Sequence, residues 1–159
     1  MTKAVKSETQ NPKTGALEAW SPRIIDFICN WCTITSEELA GASELKMGSR
    51  VRAVRLACSS RIDPLFVVKA FENGADGVIV GGCPISDCHY SPGDDHARKF
   101  FSVLHDLLAI QGVEDERVTF SPVSASDGDK WQEVVRQTTE KIRRLGPLHR
   151  VEPPEVLWH

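Results

Sequence analysis

The sequence predicts an α/β domain built on a small doubly wound parallel sheet of about four strands. Three observations lead there. Short apolar, strand-like runs alternate with longer segments of helical periodicity, the order that produces parallel pairing through right-handed crossovers. One run, Val78-Ile79-Val80, is apolar on both faces, as the covered centre of a parallel sheet requires. Every cysteine falls at or just beyond the end of a strand-like run, on what becomes the carboxyl rim of such a sheet.

The elements follow in order. Residues 1 to 22 mix Lys, Ser, Thr, Asn, Gln, Pro and Gly without periodicity and are expected to form a flexible N-terminal arm; the α/β domain then spans 23 to 146. Ile24-Ile25-Asp26-Phe27-Ile28 fits a buried strand that stops at Cys29. Val51-Arg52-Ala53-Val54-Arg55-Leu56 is β-branched with an arginine on each face, the pattern of a sheet edge, and it stops before Cys58. The first crossover must lie between Cys32 and Val51. There Ser36, followed by Glu37 and Glu38, reads as a capped helix start, weakened by Gly41 and Gly48.

Asp63 as N-cap and Pro64 at the first helical position open a helix of about ten residues that Gly74 stops. The strand Val78-Ile79-Val80 closes in Gly81-Gly82-Cys83. Phe100, Val103, Leu104, Leu107 and Leu108 recur at the spacing of an amphipathic helix, ended by Gly112. Val118 to Val123 reads as a last strand, confined to an edge by Pro122, which removes a ladder donor. Trp131, Val134, Val135, Thr138, Ile142 and Leu145 trace one face of a closing helix, ended by Gly146-Pro147. These strands fit a flavodoxin-like order, 2-1-3-4, with both edge-type strands on edges. Residues 147 to 159 form a C-terminal tail whose Leu157 and Trp158 call for an apolar surface.

Composition narrows the class. A chain of 159 residues has the length of one domain, and 41% hydrophobic with 26% charged residues is the balance of a globular protein, not a disordered one. The net charge of −3 provides no basic field for nucleic acid or an anionic membrane, so neither is an expected partner. No apolar run approaches bilayer length and the first twenty residues are polar, which makes the cytoplasm the expected compartment. In that compartment thiols stay reduced. The five cysteines therefore read as metal-binding or redox residues and not as a disulfide framework.

Cys29 and Cys32 follow the first strand, Cys58 the second, and Cys83 and Cys88 the third. With the first strand between the other two, all five thiols converge on one rim. Thiolates at that density suit zinc or an iron-sulfur cluster. A [2Fe-2S] centre takes four of them, and the pairs Cys29-x-x-Cys32 and Cys83-x-x-x-x-Cys88 would each serve one iron, with Cys58 a spare or a replacement. An all-cysteine zinc site in an interaction module fits the same residues, and Cys29-Asn30-Trp31-Cys32 also has the spacing of a dithiol oxidoreductase. Any single cysteine could instead fill core space.

Other residues have plainer readings beside the functional ones. His89 is a candidate ligand or hydrogen-bond donor to a cluster sulfur, yet such a histidine more often serves in a loop or an interface. Trp31 shields the thiols or packs on a neighbour. Arg61 and Asp63 could pair near the rim, although Asp63 already has work as a cap. Ser124-Ala125-Ser126-Asp127-Gly128 lacks the glycine pattern of a phosphate loop. No pairing of nucleophile with base stands out, so no catalytic residue is expected.

Several motifs also carry a family resemblance. Cys29-Asn30-Trp31-Cys32, Leu39-Ala40-Gly41, Cys58-Ser59-Ser60-Arg61-Ile62-Asp63-Pro64, Ala70-Phe71-Glu72-Asn73-Gly74-Ala75-Asp76-Gly77-Val78, Gly82-Cys83 and Asp87-Cys88-His89-Tyr90 occur in this order. Over roughly residues 23 to 146 the chain resembles the delta subunit of methyl-viologen-reducing [NiFe] hydrogenase. The resemblance implies a non-catalytic [2Fe-2S] electron-transfer subunit. Its implied partners are a [NiFe] hydrogenase or formate dehydrogenase on one side and the flavoprotein subunit of heterodisulfide reductase on the other, in electron-bifurcating complexes of methanogenic archaea and other anaerobes. The five family cysteines map onto Cys29, Cys32, Cys58, Cys83 and Cys88. Where family members commonly have Gly-Asn after the Cys-His-Tyr run, this chain has Pro92-Gly93-Asp94, expected in a loop.

Overall fold

Strands β1 (Ile24–Cys29), β2 (Val51–Leu56), β3 (Gly77–Gly82) and β4 (Val118–Pro122) pair in parallel in the order β2-β1-β3-β4, as the sequence leads one to expect. The structure, a computed structural model, describes residues 20–42, 50–84, 87–90 and 93–149, with the backbone alone at 42 and 93–98. Most of the expected N-terminal arm, Gly48, Pro92 and the tail beyond His149 lie outside the described residues. Helices α1 (Cys32–Ala42) and α4 (Gly128–Leu145) cover one face of the sheet, and α2 (Pro64–Glu72) and α3 (Gly93–Ile110) the other.

Alternation along the strands divides the core. Phe27, Val78 and Val80 pack with Val67 and Phe71 of α2 and Leu104 and Leu108 of α3. Ile24, Ile28 and Ile79 point the other way, onto Ile34 of α1 and Trp131, Val135 and Ile142 of α4. Every residue of β3 is buried, whereas the four central residues of β2 are exposed, in keeping with its arginine-bearing edge pattern. Each fully buried Ile or Val contributes about 1.5–3 kcal/mol, so the β1–β3 pair anchors the molecule.

Local signals set most of the helices. Asp63 caps α2 by accepting the Leu65 N–H at 2.8 Å, with Pro64 at the first position, and Gly74 leaves the helix at φ +103°. Two boundaries differ from expectation. α1 begins at Cys32, one turn before Ser36, whose hydroxyl lies inside the helix and donates to the carbonyls of Cys32 (3.2 Å) and Ser124. α3 begins at Gly93, so Gly93 and Asp94 form its first turn and are not part of a loop. No described helix is long and apolar enough to cross a membrane.

The amino-terminal ends of the strands are held by charge. Arg117 is buried; it donates to Glu114 at 2.7 and 3.2 Å, to the Asp76 carbonyl at 3.1 Å and to the Gly146 carbonyl at 3.0 Å. It thereby ties the start of β3 to the end of α4, and its guanidinium holds the Glu114 carboxyl below the ordinary value.

Asp26, in the middle of β1, has the opposite circumstance. It is fully buried on the α1–α4 side, and among the described residues neither carboxylate oxygen has a hydrogen-bond partner. Burial, reinforced by the charge of Glu37, raises its pKa well above the ordinary 3.8, so the folded chain keeps a proton that the unfolded chain has lost. A carboxyl shifted this way contributes most below its unfolded pKa, and that contribution disappears as pH rises through the folded pKa. The unfolding free energy should therefore fall from about pH 4 upward. Asp26→Asn should flatten that slope in urea titrations across the same range, and parallel slopes for the two proteins would clear Asp26 of the effect.

Candidate functional site

The β1–β3 pairing aligns Ile28 with Gly81, which leaves Cys29 as the last residue of β1 and Cys83 one residue past the end of β3. The sulfurs of Cys29 and Cys83 lie 3.8 Å apart and those of Cys32 and Cys83 2.7 Å apart, all three side chains buried. Cys32 reaches this point because the Asn30-Trp31 turn leads straight into α1, whose first residue it is. Cys88 is half-buried and packs against the three, its thiol donating to the Tyr90 carbonyl at 3.2 Å. Cys58, though buried, lies outside this group and accepts the Ser60 hydroxyl at 3.1 Å.

Two glycines make room for the cluster of thiols. A Cβ on Gly81 would stand 2.4 Å from the Thr33 Cγ2 and 3.0 Å from the Trp131 ring; on Gly82 it would stand 2.9 Å from the Ser59 hydroxyl. The first turn of α1 closes on β3 only because Gly81 has no side chain, and Ser59 approaches β3 at Gly82 in the same way. A polar brace holds the other side. The Ser124 hydroxyl donates to Asp87 at 3.0 Å, while the Ser124 carbonyl accepts from Ser36, so one residue after β4 secures both α1 and the Cys83–Cys88 loop. Sequence reasoning missed Ser36, Asp87 and Ser124 in this role, and position beyond a strand end was their only available signal.

The electrostatics are uneven. The Cys83 thiol, together with the backbone N–H groups of Trp31, Cys32 and Ser59, lowers the Cys29 pKa to about 5 against the opposing effect of burial. Cys83 is pushed up, first by its hydrogen bond to Cys29 and then by burial. Burial raises Cys32, and nearby Cys29, Asp87 and Cys88 add to the rise. The negative charge thus resides on Cys29.

Three rings border the site. Trp31 stacks on His89 with centroids 3.7 Å apart, and Tyr90 meets both edge-on. All three rings are exposed, and Trp31 and His89 adjoin Cys32 and Cys88 in the chain. Asp63 serves as a helix cap, and among the described residues no ion pair joins it to Arg61. Among the described residues no group of three or more His, Cys, Asp or Glu side chains is arranged as a metal-ion site; the sulfurs pack on one another. The donor chemistry is nevertheless that of a thiophilic metal: four sulfurs from two loops, three of them buried, with amide N–H groups turned toward one.

Comparison with known proteins adds a family. The model of the methyl-viologen-reducing hydrogenase delta subunit matches residues 24–146. The chain is 45% identical over 131 residues to the iron-sulfur subunit of the F420-non-reducing hydrogenase of Archaeoglobus profundus, spanning 82% of this chain and 96% of that protein. It is 42% identical over 130 residues to the iron-sulfur subunit of the vhc F420-non-reducing hydrogenase of Methanococcus voltae, spanning 82% and 90%. It is also 32% identical over 127 residues to a subunit of the ferredoxin/F420H2-dependent CoB-CoM heterodisulfide reductase of Methanosarcina acetivorans, 80% of this chain but 16% of that longer protein.

The glycine contacts yield a test. Gly81→Ala should push the first turn of α1 off β3, cost about 1–3 kcal/mol, and speed the reaction of the buried thiols of the metal-free chain with an aromatic disulfide reagent. Unchanged thiol kinetics and an unchanged melting temperature would show that the close approach is not needed.

Proposed function

We propose, for a chain that belongs to the family of methyl-viologen-reducing hydrogenase delta subunits, that it acts as an electron-transfer subunit holding a [2Fe-2S] cluster at the carboxyl rim of its sheet. One observation carries the reading. Cys29 and Cys83, 54 residues apart in sequence, bring their sulfurs within 3.8 Å, with Cys32 and Cys88 packed against them. Two of the relatives bear the name iron-sulfur subunit.

The cluster, when bound, supplies a one-electron carrier fixed by four thiolates. Cys29, Cys32, Cys83 and Cys88 are the four residues we assign to it, and Cys58 is the thiol left outside. The amides of Trp31, Cys32 and Ser59 favour negative charge at Cys29, and such N–H groups set the potential of an iron-sulfur centre. Burial of three sulfurs restricts water, while Cys88 and the Trp31-His89-Tyr90 rings bring the site to the surface, where a second redox centre can approach.

The partners follow from the relatives. A region like this chain makes up 16% of the heterodisulfide reductase relative, which favours docking of the separate chain on the flavoprotein subunit of heterodisulfide reductase. The hydrogenase names of the other relatives favour a [NiFe] hydrogenase as electron source, with formate dehydrogenase the alternative source in the same kind of electron-bifurcating complex. The reading belongs to the cytoplasm.

Anaerobic purification should yield iron and acid-labile sulfide at about two each per chain and a paramagnetic signal after one-electron reduction. Serine substitution at Cys29, Cys32, Cys83 or Cys88 should abolish that signal, and Cys58→Ser should keep it. Zinc in place of iron overturns the electron-transfer reading; loss of the signal in Cys58→Ser with retention in Cys88→Ser overturns the ligand assignment alone.

A further inference from the structure

At the end of the sheet opposite the thiols, a cleft of about 460 Å³ opens between the start of β1, the start of β2 and the end of α2. Arg23, Arg50 and Arg52 line it with Ile25, Asn73 and Gly74, and no carboxylate among the described residues does, in a chain whose net charge is −3. Arg23 has one partner, Asp76 at 3.8 Å, and Arg50 and Arg52 form no ion pair among the described residues. Arg52 stands beside Ile25 in the β1–β2 ladder, on the α2–α3 side of the sheet, where Val54 is exposed as well.

The chain itself returns to this place. The Leu148 N–H donates to Asp76 Oδ1 at 3.4 Å, while Asp76 Oδ2 accepts the Arg23 N–H at 2.9 Å. Leu148 packs against the α2–α3 core, on the same side as the cleft, and Asp76 adjoins Ala75 of the cleft wall. Residues 150–159 therefore follow, in sequence, a stretch held at Asp76, the residue that also pairs with Arg23 of the cleft. They contain Glu152 and Glu155 around Pro153-Pro154, then Val156-Leu157-Trp158. Two prolines favour a polyproline II strand, in which residues three apart share a side at a separation of about 9 Å. Glu152 is four residues past Leu148, a reach of about 13 Å, and Glu155 seven, about 23 Å.

We propose that segment 150–159 docks in this cleft, Glu152 and Glu155 against Arg23, Arg50 and Arg52, with Val156-Leu157-Trp158 continuing over the open face of β2 near Val54. Charge opposition and the exit of the chain at Asp76 select this occupant over an acidic segment of another protein or a free anion.

Nuclear magnetic resonance of the full chain tests it, because the base lies far from the sulfurs. The wild type should show restrained backbone amides at Glu152 and at residues 155–158. Both Arg50→Ala/Arg52→Ala and Glu152→Gln/Glu155→Gln should release them, the glutamine pair also shifting the Nε–H resonances of Arg50 and Arg52, while α4 signals stay put as a check on the fold. Equal amide mobility in the wild type and both variants overturns the proposal. So does a response of the two arginine resonances that appears only when inorganic phosphate or a partner protein is added.

Discussion

The register of β1 against β3, with Ile28 beside Gly81, determines where the sulfurs go. Side chains alternate along a strand, so a slip of β1 by one residue would turn Ile24 and Ile28 toward α2 and α3 and move Cys29 away from Cys83. Glycines make the register specific. A Cβ on Gly77 would lie 1.9 Å from the Ile142 Cδ1, and one on Gly81 would strike Thr33, so α4 and α1 each fit over one position of β3 and no other. The thiol cluster is thus a consequence of core packing two layers away from it.

The two ends of the sheet are held by different physics. At the amino end, Asp76 gathers Arg23 and Leu148, and Arg117 joins β3 to α4; these contacts are ionic or charge-assisted, and Arg117 is desolvated enough that losing one partner would strand a buried charge. At the carboxyl end the contacts are sulfur on sulfur, supported by hydrogen bonds from the Ser36 hydroxyl to backbone carbonyls and from the Ser124 hydroxyl to the Asp87 carboxylate. Among the described residues, the ion pairs with a buried side chain, Arg23–Asp76 and Arg117–Glu114, therefore lie at the base. The rim keeps a set of ionisable thiols whose charge is free to respond to what binds there.

Most of the architecture was legible because its signals are local. Asp63-Pro64 and Gly74 bound α2 through capping and φ, the two-faced apolar run Val78-Ile79-Val80 marks the sheet centre, and arginines on both faces mark β2 as an edge. The start of α1 was not legible, since Ser36 has the chemistry of a cap whereas Cys32 has none; the helix begins at Cys32 because the turn after β1 and the glycine gap in β3 allow it. Gly93-Asp94 reads as a turn until the backbone of α3 is seen to continue through it. Convergence of Cys29, Cys32 and Cys83 was readable from strand ends, but the separation of Cys58 was not, because spacing carries no information about which way a loop turns. The Ser36–Ser124–Asp87 brace is non-local and polar, and it leaves no period in the sequence.

The titration of the thiols says what kind of ligand the rim accepts. Cys29 holds a negative charge favoured by three amides and by the Cys83 thiol, and that same contact raises Cys83. A second thiolate at Cys83, 3.8 Å from the first in a buried pocket, meets repulsion that water screens poorly. Cys32 and Cys83 both lie above the ordinary thiol value. Full deprotonation of the set needs positive charge placed among the sulfurs, and the protons must leave as that charge arrives. A neutral or anionic molecule supplies no such compensation. A thiophilic cation, the ligand class that the proposed function requires, meets that condition.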